Sequence, residues 1–364
     1  MTDTLAAARL MAVLEEAGEA TVLPALLQPA DLFVELAGEE FRKRLFITEG
    51  AEGESWCLRP DFTIPVCLEH LKSGRETPLA YTYRGKIFRK RRAVGDPEFE
   101  QAGTEWLGHA DRMETDARLY ALAGRCAAAV GLAPSVRVGD ADVFGAVVEA
   151  VGLSPSWRSR LVTAFGDEVR LSATLARLAR RGTGDGIAAR LAPALSRLDI
   201  GDARAVVRAV VGASDRAILG GRTADDIAER ILEEAGNGAD PAAESVLSRY
   251  LALAAPLDRA ADTLAAFARD EGLSLGPILE GFAARSAALA ALGVDLSTIA
   301  FEAAFGRRIG YYTGFVFEMT DPARPDAEVI AGGRYDRLVS LLDPSRTLPA
   351  IGFSVWIDRL PEAP

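Results

Sequence analysis

Histidine and cysteine are nearly missing from this chain. Only His70 and His109 occur, far apart, which excludes a histidine-rich metal site. The three cysteines, Cys57, Cys67 and Cys126, are odd in number and show no C-x-x-C spacing. A disulfide framework is thereby excluded, and reduced thiols in a cytosolic setting are expected. No run approaches the ~18 apolar residues that a membrane span needs. The opening residues MTDTLAAARLMAVLEEAG hold no basic n-region and carry Asp3, Glu15 and Glu16. They read as an amphipathic helix, not a signal peptide. Cations are short too: 41 Lys and Arg against 52 Asp and Glu give a net charge of -11 and a pI near 5.0. That balance argues against a general nucleic-acid scaffold, although an acidic protein can still carry one basic face.

What is present is apolar residues, 49% of 364, enough for a large core and two domains. The chain is organised around residues 83–108, YRGKIFRKRRAVGDPEFEQAGTEWLG. Residues 79–84 and 99–106 read as two strands with a basic loop between them. Positions 84 to 92 hold six cations (Arg84, Lys86, Arg89, Lys90, Arg91, Arg92) and no acid. Charge alone leaves two readings open, a solvated hairpin loop or the seat of an anionic partner. The second strand adds chemistry. Side chains alternate, so Gln101, Gly103 and Glu105 share one face. A polar–glycine–polar face is poor core material and suits a floor for a small polar ligand.

Elsewhere, Leu10, Met11, Val13 and Leu14 give the first helix an apolar face, and Gly18 is placed to end it. Residues 20–23 read as a strand stopped by Pro24. In LRPDFTIPV (58–66), Thr63 can cap a helix whose second residue is Pro65, and Asp61 is either a solvated acid or an ammonium receptor. Asp111 and Glu114 have capping-box spacing for a helix running to Gly131, and residues 135–138 read as a strand. From about 140 to 295 the texture is Ala-, Leu- and Arg-rich, apolar at 3- and 4-residue steps, with breaks near 182–186, 220–221 and 236–238. That segment predicts helices and carries no recognisable chemistry. Strand texture resumes at 297–305. On a strand over 311–318, Tyr312, Gly314 and Val316 would face one way and Tyr311, Thr313, Phe315 and Phe317 the other. Gly332 and Gly333 permit close backbone approach before Arg334 and Tyr335.

Separate segments, in order, resemble the class II aminoacyl-tRNA synthetases in their histidyl form. YRG…FR…EF.QAG.E..G at 83–108 is similar to motif 2, and the segment ending at Pro24 resembles motif 1, whose proline lies at a dimer interface. LRPDFT resembles LRPE.T, with Asp61 in place of the glutamate. GRRIGYYTGFVFEM and AGGRYDRLV resemble RGLDYYTGTVFE and GGRYDGL. AIGFSVWIDRL resembles motif 3, with Arg359 at its ATP-binding arginine. The resemblance implies an α+β fold: a class II synthetase-like antiparallel sheet flanked by helices, with an all-helical insertion. Residues 1–140 and 296–364 would form a discontinuous core and 141–295 the insertion. It also implies a histidine pocket. Asp61, Thr63 and Gln101 match the ammonium site, Glu105 and Tyr312 the imidazole contacts, and Tyr335 a wall tyrosine. Tyr311 stands beside them. Arg89 and Arg307 match arginines near the carboxylate, which guanidinium forks suit.

Departures from the pattern are informative. Gly310 stands where the family has aspartate, and Arg91 where it has an ATP-contacting glutamate. The loop before Glu98 is shorter, and the sequence stops five residues after Arg359. No anticodon-binding domain is expected, and neither histidine activation nor tRNA charging. A synthetase core of this kind is similar to the ATP phosphoribosyltransferase regulatory subunits, paralogues of histidyl-tRNA synthetase. That resemblance implies a non-catalytic cytoplasmic subunit in histidine biosynthesis, with L-histidine as effector. A short-form catalytic subunit would be its partner in a hetero-octamer, with a homodimer through the core. Catalytic residues, cofactors, metals, tRNA and membranes are not expected. The alternatives are a truncated enzyme that adenylates histidine through Arg89, Arg307 and Arg359, or a histidine sensor for another partner.

Overall fold

The computed structural model describes residues 5–37, 39–75, 78–90, 96–179, 205–206, 209, 240–307 and 311–361. Arg91, Arg92, Gly310 and the expected breaks between 182 and 238 lie outside the described residues. The chain begins with α1 (Leu5–Ala17), β1 (Ala20–Thr21), β2 (Leu27–Pro29), α2 (Ala30–Ala37) and α3 (Glu39–Arg42). β3 (Ile47–Glu49), β4 (Ser55–Leu58), α4 (Thr63–Lys72), β5 (Leu79–Phe88) and β6 (Glu98–Leu107) follow. Next come α5 (Arg112–Ala129), β7 (Ser135–Asp140), α6 (Ala141–Ala150), α7 (Pro155–Ala164) and α8 (Glu168–Ala179). The described residues resume with α9 (Pro241–Leu251), β8 (Ala254–Pro256), α10 (Leu257–Asp270) and α11 (Gly276–Ala291). β9 (Ile299–Glu302), β10 (Phe315–Asp321), β11 (Arg324–Arg334), α12 (Arg337–Leu342) and β12 (Ala350–Trp356) complete the fold.

Nine strands form one sheet in the order β1-β5-β6-β12-β11-β10-β7-β9-β8. Among the described strands, only the β1–β5 and β7–β9 pairs are parallel. A small antiparallel sheet, β2-β4-β3, stands apart. Alternation along the central strands gives the large sheet two apolar faces. On one face, Ala102, Phe317, Ile351, Phe353 and Val355 pack with Leu10 and Leu14 of α1 and with Leu119 and Leu122 of α5. That core continues into α6 to α11 through Phe144, Trp157, Tyr250 and Leu264. On the other face, Tyr81, Tyr83, Ile87 and Trp356 meet Ile64 and Val66 of α4, Phe33 of α2 and Leu338 of α12. The site lies on this second face.

Local chemistry places the helices. Asp111 accepts the Glu114 N–H at 3.0 Å to start α5, as its spacing predicts. Asp140 caps α6 through the N–H groups of Asp142 and Val143, and Gly18 directly follows α1. The segment read as all-helical also contains β8, which pairs antiparallel with β9 and extends the sheet by three residues. Two local expectations are corrected. Thr63 does not cap α4: the cap residue is Phe62, and the Thr63 hydroxyl turns to Glu105 instead. The strand expected from 311 starts at Phe315. Tyr311 to Gly314 fold as a turn because Thr313 N–H bonds Arg334 O (2.8 Å) and Gly314 O receives Ala141 N–H (3.0 Å). Without strand alternation, Tyr311 and Tyr312 pack together, rings 5.0 Å apart, and both meet Tyr335.

Candidate ligand-binding site

Register sets the floor of the site. Residues directly opposite in a sheet share a face. Tyr81, Glu105, Gly352, Gly333 and Val316 form one row, and Tyr83, Gly103, Ser354, Ala331, Glu318 and Arg137 the next. The glycines clear room for their neighbours. A Cβ at Gly352 would fall 1.6 Å from Glu105 Oε2, and one at Gly103 would fall 2.5 Å from the Tyr83 hydroxyl. The space over Gly103 is thus taken by the phenol of Tyr83, not left open as the strand pattern suggested.

Glu105 is the centre of this floor, 1% exposed. Thr63 Oγ1 donates to its Oε1 at 2.7 Å, Tyr83 OH lies 3.3 Å from the same oxygen, and Tyr335 OH donates to Oε2. Tyr83 OH is also 2.8 Å from Ser354 Oγ. No cation pairs with Glu105 among the described residues. Burial therefore pushes its carboxyl up to about 8, although the three hydroxyls pull it down. Near neutral pH this side chain carries its proton.

Charge gathers beside it. Asp61 is buried before α4, its Oδ1 3.4 Å from the Ile64 N–H. Burial pushes its carboxyl up to about 6, and Arg89 is the main opposing influence. Arg89 donates from Nε to Pro60 O at 2.6 Å, and burial lowers its pKa. Arg307 stands 5.8 Å from the Tyr312 ring, with Nη1 3.6 Å from Glu318 Oε2. Arg89 and Arg307 lie within electrostatic reach of one another.

All nine residues picked from the sequence (Asp61, Thr63, Arg89, Gln101, Glu105, Arg307, Tyr311, Tyr312 and Tyr335) are buried or half-buried on this side of the sheet. Three of them hold buried atoms without a hydrogen-bond partner: Asp61 Oδ2, Gln101 Oε1 and Arg307 Nε. Two buried acceptors and one buried donor are thus left unpaired, a set that would suit a ligand carrying both a cation and an anion. Sequence reasoning missed Tyr83, Ser354 and Glu318. The register of a six-strand row was needed to find them. Half of the basic island is absorbed. Arg84 pairs with Glu100 at 3.0 Å, Lys86 pairs with Glu98, and Arg89 is inside the site. The acids come from the opposite strand, which a count along positions 84 to 92 cannot see. Arg359, which matches the family's ATP-binding arginine, donates to Glu328 O at 2.6 Å and lies over Trp356. No metal-ligating cluster and no helix long and apolar enough to cross a membrane occur among the described residues.

A family model described as histidyl-tRNA synthetase matches residues 3–211 and 197–360. A Brucella ovis protein named ATP phosphoribosyltransferase regulatory subunit is 42% identical over 344 residues, which is 92% of this chain and 90% of that protein. The Brucella abortus protein of the same name matches to the same extent. Among solved structures, an ATP phosphoribosyltransferase regulatory subunit/histidyl-tRNA synthetase from Bacillus halodurans is similar with a TM-score of 0.65 at 20% identity. It covers 98% of this chain and 77% of that one. Histidyl-tRNA synthetase from Nostoc sp. PCC 7120 gives 0.64 at 16% identity, covering 98% and 69%. At such identities the two structures speak for the fold, which is the class II histidyl-synthetase fold.

Proposed function

Because this chain belongs to the histidyl-tRNA synthetase family, and within it to the ATP phosphoribosyltransferase regulatory subunits, we propose that it is the non-catalytic subunit that controls this transferase in histidine biosynthesis. L-Histidine is the effector, a short-form catalytic subunit the partner, and a cytoplasmic hetero-octamer the assembly. Residues 1–140 and 296–364 serve as its core and 141–295 as an inserted helical unit. The observation that carries the histidine reading is the set of unpartnered buried atoms. Asp61 Oδ2 and Gln101 Oε1 are acceptors for an ammonium group, and Arg307 Nε, with Arg89 nearby, is a donor for a carboxylate. Glu105 and Tyr312 remain for a ring with one donor and one acceptor. The homodimer uses the segment around Pro24, where Leu23, Leu26 and Leu27 are 69%, 51% and 49% exposed.

A subunit without chemistry of its own acts by shifting its partner's conformational equilibrium, so histidine must bind one state better than another. A coupling of about 1–3 kcal/mol changes activity roughly 5- to 150-fold, and it is reciprocal. The test is the activity of the catalytic subunit, alone and with this protein, across a histidine series. Activation and histidine inhibition are expected only with both present. Glu105→Ala should weaken histidine binding in calorimetry by roughly 2 kcal/mol, because a buried ligand donor loses its acceptor. Equal activity and equal inhibition in both arms would remove the regulatory role.

A further inference from the structure

Glu318 has no role in the reading above, yet it occupies the floor row between Arg137 of β7 and Ala331 of β11. Its carboxylate is split between two guanidinium groups. Oε1 accepts from Arg137 at 3.1 Å (Nε) and 2.9 Å (Nη2), and Oε2 faces Arg307 Nη1 at 3.6 Å. Arg137 is 46% exposed, whereas Glu318 and Arg307 are each 12% exposed. The inner contact is therefore the weakly bonded one. It is long enough to orient Arg307 without consuming its donors, and Nε stays unpartnered.

Arg307 is fixed at both of its other ends. Its backbone is pressed against Gly166, where a Cβ would lie 2.4 Å from Arg307 O. Its guanidinium rests by the Tyr312 ring. Beyond Glu318, Arg89 repels it and Glu328 of β11, which also pairs with Arg359, attracts it. We propose that Glu318 is a positioning residue that aims Arg307 at the ligand's carboxylate and so makes the pocket select an α-amino acid over the same amine without a carboxylate. The proposal rests on histidine being the ligand.

The experiment is calorimetry of L-histidine and of L-histidinol, which carries a hydroxymethyl group where histidine has its carboxylate. It uses the full-length parent, Glu318→Ala and Glu318→Gln. The parent should prefer histidine. In Glu318→Ala that preference should shrink at least about fivefold, with histidinol affinity held within about twofold. Glu318→Gln keeps one acceptor oxygen in place of two and should restore only part of the preference. An unchanged preference in Glu318→Ala, an equal loss for both ligands, or a stronger preference for histidine would each overturn the proposal. A parent that binds neither compound would instead overturn the histidine reading itself, so the two failures are distinct.

Discussion

At the scale of single residues, Glu105 sets a pH dependence whose sign is unusual for a carboxylate. Its folded-state value near 8 stands above the ordinary 4.5, because burial among Thr63, Tyr83 and Tyr335 disfavours the charge. Between those values the folded protein holds a proton that the unfolded chain releases. The stabilising contribution is thus complete below about pH 4.5 and is lost as pH rises through about 8. Glu105→Gln is neutral throughout. In ligand-free protein it should melt at a higher temperature than the parent at pH 9, and the advantage should shrink as pH falls and vanish only below about pH 4.5. Parallel melting curves for parent and variant over that range would refute this. The identity of these residues was readable in the sequence, since alternation put Gln101 and Glu105 on one face. Their partners were not. Thr63 had an ordinary local use as a helix cap, and only the approach of α4 to β6, 42 residues later, reassigns its hydroxyl. Strand alternation would put Tyr311 and Tyr312 on opposite faces, whereas the turn before β10 brings their rings together.

Between elements, a buried ionic chain ties the helical segment to the sheet. Arg334 donates to Asp116 at 2.7 Å and to Asp336 at 2.8 Å. Asp116 also faces Arg285 of α11 at 3.5 Å, and Arg285 pairs with Asp140 at the start of α6. Arg285, Asp116, Asp140 and Arg334 are each no more than 5% exposed. Removing one member of a buried pair leaves an uncompensated charge, typically about 3–5 kcal/mol. Arg285→Ala should cost about 3 kcal/mol in urea unfolding, since Asp116 keeps Arg334 and Asp140 keeps two backbone N–H groups. Adding Asp140→Asn, which still caps a helix, should recover part of the loss. A double variant no more stable than Arg285→Ala would show that the pairing is not the source. None of this was legible from 141–295 alone. Its arginines have the spacing of solvated helix faces, and nothing local marks Arg285 as the one turned inward. The strand β8 was equally hidden, because three residues are too few for alternation to register.

Across the whole molecule, the class II architecture was the most legible feature, since separate segments had to match in order for any of them to carry weight. Apolar surface remains where the first of them lies. Leu23, Leu26 and Leu27 are exposed, while Arg59 holds this stretch through the carbonyls of Pro24 and Leu26. Rigid backbone under exposed leucines suits a subunit contact better than a mobile loop does. Leu26→Asp together with Leu23→Asp should abolish the proposed dimer in sedimentation without changing the circular dichroism. A variant that sediments as the parent does would exclude this surface. The order of the large sheet has a further consequence, for the newborn chain. The β5–β6 hairpin is finished by residue 107, but the strand that covers the inner edge of β6 is β12, from Ala350. About 240 residues separate them, roughly 10–50 s of synthesis at usual ribosomal speeds. For that interval the hairpin offers an open hydrogen-bonding edge to any neighbouring nascent chain, and Glu105 lacks both Gly352 beside it and Tyr335 above it. A ligand that needs the finished pocket therefore has nothing to bind on the growing chain during that interval.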